Sequence, residues 1–205
     1  MEKIRSFVAI LLSDETRQAA ASLIDSLRPV GRRVSWVKAE NLHLTLKFLG
    51  DQSPEDLRRV IEGLTEATAA SAPFELLLSG LGAFPDLRRP RVIWVGASDG
   101  TREAIALARR VEESLRRRGL PKEEHPFSPH LTIGRVKDPR GLHALSSAIA
   151  DERARVMGRF QVSAIHLMRS DLSREGARYT ILRPFPLSGS TGEGGPDLDR
   201  AARSE

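Results

Sequence analysis

The sequence predicts an α+β protein built from a duplicated strand-and-helix unit, and three observations carry that prediction. Apolar, β-branched runs alternate with amphipathic helical stretches along most of the 205 residues. The phrase HLTL at residues 43–46 returns as HLTI at residues 130–133, each time inside such a run. Each copy also follows helical material and precedes a new helix.

The elements follow in order from their punctuation. Phe7 to Leu12 reads as a strand, and Ser13, Asp14 and Glu15 open a helix with Ala20, Leu23, Ile24 and Leu27 on one face, stopped by Pro29 and Gly31. A short strand at Val34 to Val37 leads into the first HLTL run. Ser53, Pro54 and Asp56 start a second helix as N-cap, first-turn proline and capping acid. Strands at Phe74 to Leu81 and Arg91 to Gly96 flank the turn FPDLRRP, as a hairpin or a crossing between lobes. A third helix starts near Thr101 and ends in Arg116 to Arg118 and Gly119, cations and a glycine that suit a helix C-terminus. After the second HLT run, Asp138 and Pro139 are predicted to start a fourth helix. Strands at Phe160 to Met168 and Arg178 to Leu182 complete a domain over residues 1–187. Residues 188–205, polar and glycine-rich, are predicted to form a disordered tail.

Composition bounds the function. A hydrophobic content of 40% supports a core of ordinary size. The absence of cysteine excludes disulfides, iron-sulfur clusters, thiolate zinc sites and cysteine nucleophiles, and suits a cytoplasmic protein. The apolar run Phe7 to Leu12 is too short for a signal h-region or a membrane span. A net charge of +5 and a pI near 10.2 favour an anionic partner such as RNA.

Side chains alternate across a strand, so His43 and Thr45 share one face while Leu44 and Leu46 take the other. His130 and Thr132 stand in the same relation to Leu131 and Ile133. If the two units face each other, two imidazoles and two hydroxyls meet across one cleft. That set suits phosphoester hydrolysis: one neutral imidazole takes a proton from water, the protonated one supplies the leaving oxygen, and the hydroxyls bond the phosphate oxygens. A single HxT in a strand is ordinarily structural; two copies in matching contexts point to a site.

The stretches RRVSWVKAENLHLTLKFLGD, GAFPDLRRPRVIWVG and FSPHLTIGRVK resemble the RNA 2′,3′-cyclic phosphodiesterases, also called 2′-5′ RNA ligases, of the LigT-like two-histidine phosphoesterases. The resemblance runs from about Phe7 to Leu187. It implies two pseudo-symmetric lobes of antiparallel sheet with flanking helices around a central cleft. It also implies opening of a terminal 2′,3′-cyclic phosphate to a 2′-phosphomonoester without metal, ATP or other cofactor; the reverse joining through a 2′-5′ linkage is a variant that microscopic reversibility permits with the same residues. The roles carry over to His43 with Thr45 and His130 with Thr132, with His43 as acid on the departing 3′-oxygen and His130 as base on water. Arg135 matches an arginine near the phosphate, although strict alternation would turn it away; a bulge at Gly134 would bring it back. Phe7 matches an aromatic that can stack on a base, with a core position as the alternative. The implied partners are RNA with cyclic phosphate ends or cyclic nucleotides, bound by a monomer.

Trp36 and Phe48 read as packing residues, and Arg88, Arg89 and Arg91 as a solvated basic turn. His125, His143 and His166 lack paired metal-ligand spacing, so no metal site is expected. P-loop, dinucleotide and GxSxG signatures are absent. Two classes remain open, a phosphodiesterase and a non-catalytic RNA-end or nucleotide binder on the same fold. Intact histidines in both motifs favour the enzyme.

Overall fold

A computed structural model describes residues 3–138, 140–173 and 176–190. Strands β1 (Ile4–Leu11), β3 (His43–Gln52), β8 (Ala164–Ser173) and β9 (Gly176–Pro186) form one sheet in the order β3-β1-β8-β9. Strands β2 (Val34–Trp36), β4 (Phe74–Phe84), β5 (Val92–Ala97), β6 (His130–Val136) and β7 (Val156–Val162) form a second in the order β2-β6-β5-β4-β7. Every pairing is antiparallel. Four α-helices accompany them among the described residues: α1 (Asp14–Leu27), α2 (Pro54–Ala69), α3 (Thr101–Arg117) and α4 (His143–Asp151). None of the described helices is long and apolar enough to cross a membrane.

The helix starts follow local chemistry. Ser13 caps α1 by accepting from the Thr16 amide, and Ser53 with Asp56 forms a reciprocal capping box on α2 that satisfies donors the helix leaves free. Helix α4 differs from expectation: it begins at His143, and Asp138 is used otherwise. The Asp138 carboxylate accepts from the Arg140 side chain and pairs with Arg33, which ties it to the chain ahead of β2.

The strand predicted over Phe160 to Met168 is two strands in different sheets. The chain leaves the second sheet at Val162 and enters the first at Ala164, so the crossing lies at Ser163. FPDLRRP is instead the hairpin connection between β4 and β5. The main core takes its apolar floor from both motif strands, with Leu44 and Leu46 from β3 and Leu131 and Ile133 from β6. Ser188 and Gly189, at the start of the expected tail, donate their amides to the carbonyls of Thr68 and Ser71 at the end of α2. Residues 191–205 of that expectation lie outside the described residues.

Each motif strand bulges against its neighbour at the same point of its HxTx phrase. Across β1 and β3, Ala9 faces Thr45 and Val8 faces Lys47, so Leu46 has no opposite residue. Across β5 and β6, Trp94 faces Thr132 and Ile93 faces Gly134, so Ile133 has none. These bulges fall on the fourth residue of each HxTx phrase and reset the alternation after it. The two strands then share one burial sequence over seven residues: half-buried, buried, half-buried, buried, buried, exposed, half-buried. The fifth residue after each histidine, Phe48 in β3 and Arg135 in β6, therefore returns to the cleft face.

Gly134 sits where Trp36 of β2 folds over β6. A Cβ at Gly134 would lie 2.7 Å from Val34 Cγ1 and 2.9 Å from Trp36 Cε3. Gly134→Val is expected to lower stability by about 1–3 kcal/mol through overpacking, read as an earlier urea midpoint with an unchanged slope. A variant as stable as the parent would show that the β2–β6 contact is looser than this.

Candidate active site

β3 and β6 approach each other where the two sheets meet, and their polar faces open on a common cleft of about 720 Å³. His43, Thr45, His130, Thr132 and Arg135 all line it. The structure thus brings both HxT pairs and the arginine together.

The histidines are held alike. His43 Nδ1 lies 2.8 Å from the carbonyl of Asn41, and His130 Nδ1 lies 2.8 Å from the carbonyl of Ser128, each two residues upstream. A carbonyl only accepts, so Nδ1 carries the hydrogen in both rings and Nε2 is left with a lone pair when the ring is neutral. In β3 that Nε2 is 3.1 Å from Thr45 Oγ1, whose hydroxyl donates to it. Asn41 is fixed in turn by its side-chain amide, which donates to the Ala177 carbonyl of β9 at 2.8 Å. Each ring also meets an aromatic edge-on: Tyr179 at 5.2 Å from His43 and Phe84 at 5.1 Å from His130.

Burial pushes His43 below the ordinary histidine value of 6.5, against a smaller opposing effect of the Asn41 hydrogen bond. His166 in β8 is also lowered by burial, but it does not line the cleft.

Of the two readings of Phe7 the geometry favours the core one, and the reading of Phe48 changes. Phe7 does lie on the cleft face, yet it is only 2% exposed, in a small cluster with Ala9 and Met168 beneath His43 (4.8 Å) and Tyr179 (5.0 Å). Its ring is covered by the imidazole and the phenol, so it supports His43 rather than offering a free face. Phe48, expected to pack, is 63% exposed and lines the cleft, because the bulge at Leu46 reverses its direction. Trp36 is a packing residue as expected.

Sequence reasoning missed the third wall. The segment between α3 and β6 contributes Glu123, His125, Phe127 and Ser128. It is anchored by Lys47, which is 5% exposed, donates to Glu112 of α3 at 2.5 Å and donates to the Pro121 carbonyl at 2.8 Å. The other Glu112 oxygen accepts from the Glu123 amide at 3.0 Å. A lysine inside an apolar run was the available signal.

With this geometry in view, the comparisons with known proteins are consistent. The model of the 2′-5′ RNA ligase superfamily matches residues 15–174. The chain belongs to that superfamily. It is 34% identical to an RNA 2′,3′-cyclic phosphodiesterase of Aquifex aeolicus over 92% of this chain and 100% of the relative. It is also 34% identical to one of Methanothermobacter thermautotrophicus, over 90% of this chain and 100% of the relative. Among solved structures, apo E. coli LigT superposes with a TM-score of 0.73 at 28% identity, covering 92% of this chain and 99% of LigT. LigT has also been solved with 3′-AMP, at a TM-score of 0.73, 28% identity and coverage of 91% of this chain and 99% of LigT.

Two outcomes test this site. An anion at Nε2 stabilises imidazolium, so saturating inorganic phosphate should raise the NMR titration midpoint of His43 from its lowered position and leave His166 unmoved. The sign for stability follows: unfolded His43 takes up a proton near 6.5, folded His43 only at lower pH. Stability therefore falls as pH drops from that value through the lowered one, and phosphate opposes the fall. A His43 midpoint indifferent to phosphate would place the anion elsewhere. Glu112→Ala, which strands the buried Lys47 ammonium, should cost roughly 3 kcal/mol, and more than Lys47→Met, since Glu112 is 24% exposed and can rehydrate. Denaturant unfolding of both variants reads the order, and equal costs would mean that the ammonium reaches water.

Proposed function

We propose that this chain opens RNA 2′,3′-cyclic phosphate ends to 2′-phosphomonoesters by a two-histidine acid-base mechanism and joins them, without ATP, to 5′-hydroxyl ends. The observation that carries the reading is the matched pair of imidazoles, each tied by Nδ1 to a carbonyl two residues upstream and presenting Nε2 to one cleft.

The two sides of the cleft differ in a way that orients the substrate. Phe48 and Tyr179 lie on the His43 side and offer aromatic surface to the terminal nucleoside, while Arg135 on the His130 strand offers a guanidinium to the phosphate. The ribose 3′-oxygen then departs beside His43, and water approaches beside His130. His130 Nε2 takes the proton of water as its oxygen attacks phosphorus. The bond to the 3′-oxygen breaks, and that oxygen takes a proton from His43. Thr45, Thr132 and Arg135 hold the non-bridging oxygens as charge grows.

Burial alone works against the acid role of His43, because it favours the neutral ring. The diester anion acts in the opposite sense, so His43 is charged together with substrate binding. The product forms as a 2′-phosphomonoester monoanion that keeps the second proton of water, with His130 now charged and His43 neutral. The reading is completed by a cytoplasmic monomer that acts on RNA ends or cyclic nucleotides with no metal or cofactor.

The test is incubation with a short RNA ending in a 2′,3′-cyclic phosphate in EDTA, with the product identified by phosphorus NMR. Wild type should give the 2′-phosphate, and His43→Ala and His130→Ala should each lower turnover by about 10²–10⁴-fold while retaining the native circular dichroism spectrum. Turnover should follow a bell-shaped pH profile, since one ring must be neutral and the other charged. Binding without conversion would leave a non-catalytic RNA-end binder, and a 3′-phosphate product would reverse the proposed orientation.

A further inference from the structure

A second hollow of about 730 Å³ lies beside Trp94 of β5 and opens on the turn after β4 and on Arg153. It shares a face with the active site. Trp94 pairs across the ladder with Thr132, and Gly82 of β4 pairs with Trp94, so all three project from the same side of the second sheet. Glycine keeps this floor low. A Cβ at Gly82 would lie 2.3 Å from Trp94 Cζ2, and one at Gly96 3.3 Å from Cζ3, so the indole rests directly on the backbone of its neighbours.

Phe84 joins the two cavities. Its ring is 38% exposed and stands 5.1 Å from His130 and 5.2 Å from Trp94. The run His130, Phe84, Trp94 therefore leads out of the cleft on the side away from His43. At its far end stand Arg88 and Arg153, both exposed, and neither side chain makes an ion pair or hydrogen bond among the described residues. Asp86, which also lines the hollow, pairs with neither guanidinium: its Oδ1 accepts from the Arg88 and Arg89 amides at 2.7 and 3.0 Å. Aromatic rings followed by unpaired guanidiniums are what a single-stranded RNA needs, the rings for bases and the cations for phosphates.

We propose that this hollow is the acceptor subsite, which seats the first nucleotides of an RNA strand bearing a 5′-hydroxyl. The proposal rests on the acid-base reading above, in which the nucleophile arrives beside His130. The bound strand places its 5′-oxygen where water otherwise stands. His130 Nε2 takes the 5′-hydroxyl proton, the 5′-oxygen bonds to phosphorus, the bond to the 3′-oxygen breaks, and that oxygen takes the proton of His43. The result is a 2′-5′ diester with a free 3′-hydroxyl, balanced without ATP. Hydrolysis and joining then differ only in what occupies the space beyond Phe84.

Arg88→Glu combined with Arg153→Glu tests this. The double variant should hydrolyse a 2′,3′-cyclic mononucleotide at the parent rate. Its joining of a cyclic-ended RNA to a 5′-hydroxyl trinucleotide should fall about tenfold or more, as a raised KM for the trinucleotide. Equal loss of both activities, or unchanged joining, would overturn the proposal. So would a raised KM for hydrolysing long cyclic-ended RNA but not the mononucleotide, which would assign the hollow to upstream residues of the same strand. A binding readout stands apart from turnover. The chain has two tryptophans, so the 5′-hydroxyl trinucleotide alone should shift the indole N–H resonance of Trp94 and leave that of Trp36 in place. No shift at Trp94 would overturn the subsite whether or not the histidines prove catalytic, and hydrolysis of the cyclic mononucleotide tests the histidines independently.

Discussion

The arrangement of the cleft depends on a bulge at the same point in each motif strand. In a regular strand, the side of residue n is the side of residue n+2, and a histidine at the start would share its face with positions two and four further on. Leu46 and Ile133 break that rule at the same point in both strands. Two consecutive residues turn inward, and the next one emerges beside the imidazole. Without the bulges, Lys47 and Gly134 would face the cleft, and Phe48 and Arg135 would point away. The bulge therefore determines which side chains can meet a substrate, while the histidine and threonine before it would have been correctly placed in either case.

A second constraint acts on the rings themselves. An imidazole on a strand can rotate, and a catalytic one must present a single nitrogen. Both strands meet this need with backbone rather than side chain, through the carbonyls of Asn41 and Ser128. Neither carbonyl belongs to a motif strand, so the entry segments must be held in place. Asn41 is anchored to β9, and Ser128 lies in a segment that Lys47 and Glu112 tie to β3 and α3. Lys47 is thus paired across the two halves of the molecule. Its burial is tolerated because a carboxylate and a carbonyl replace the water its ammonium gives up.

These facts explain which parts of the molecule were legible in the sequence. His43, Thr45, His130 and Thr132 were readable because they precede the bulges, where strict alternation still holds. Arg135 was readable mainly from the family resemblance, with Gly134 as a place where the strand could deform to admit it. Phe48 was misread because its strand has no glycine at the matching position: the bulge there is made from Leu46 and Lys47, residues with ordinary strand behaviour. The crossing at Ser163 was hidden for a related reason, since the apolar pattern continues through VSAIHLM as if one strand ran on. Position in a sheet is a tertiary property, and a run of β-branched residues does not say which sheet it joins. The third wall had one signal, a lysine inside an apolar run, but its partner lies far away in sequence, so the salt bridge that anchors the wall could not be read from it.

The pseudo-symmetry of the two strands has a chemical consequence. A cleft with identical halves would accept a cyclic phosphate in either of two orientations, with the nucleoside beside either histidine. Up to the bulge the halves are nearly identical, even to an aromatic edge at 5.2 Å on one side and 5.1 Å on the other. They diverge immediately after it, at the paired positions Lys47 and Gly134 and then Phe48 and Arg135. Lysine at the first position needs the acid of α3 and draws the third wall toward β3, whereas glycine at the same place in β6 leaves room for Trp36. Phenylalanine at the second position favours a base, and arginine favours an anion. Polarity is therefore introduced at the first residues the bulges redirect, and a substrate that satisfies both side chains fits in only one sense. In the proposed mechanism that orientation gives two otherwise equivalent histidines different partners, one a leaving oxygen and the other a nucleophile.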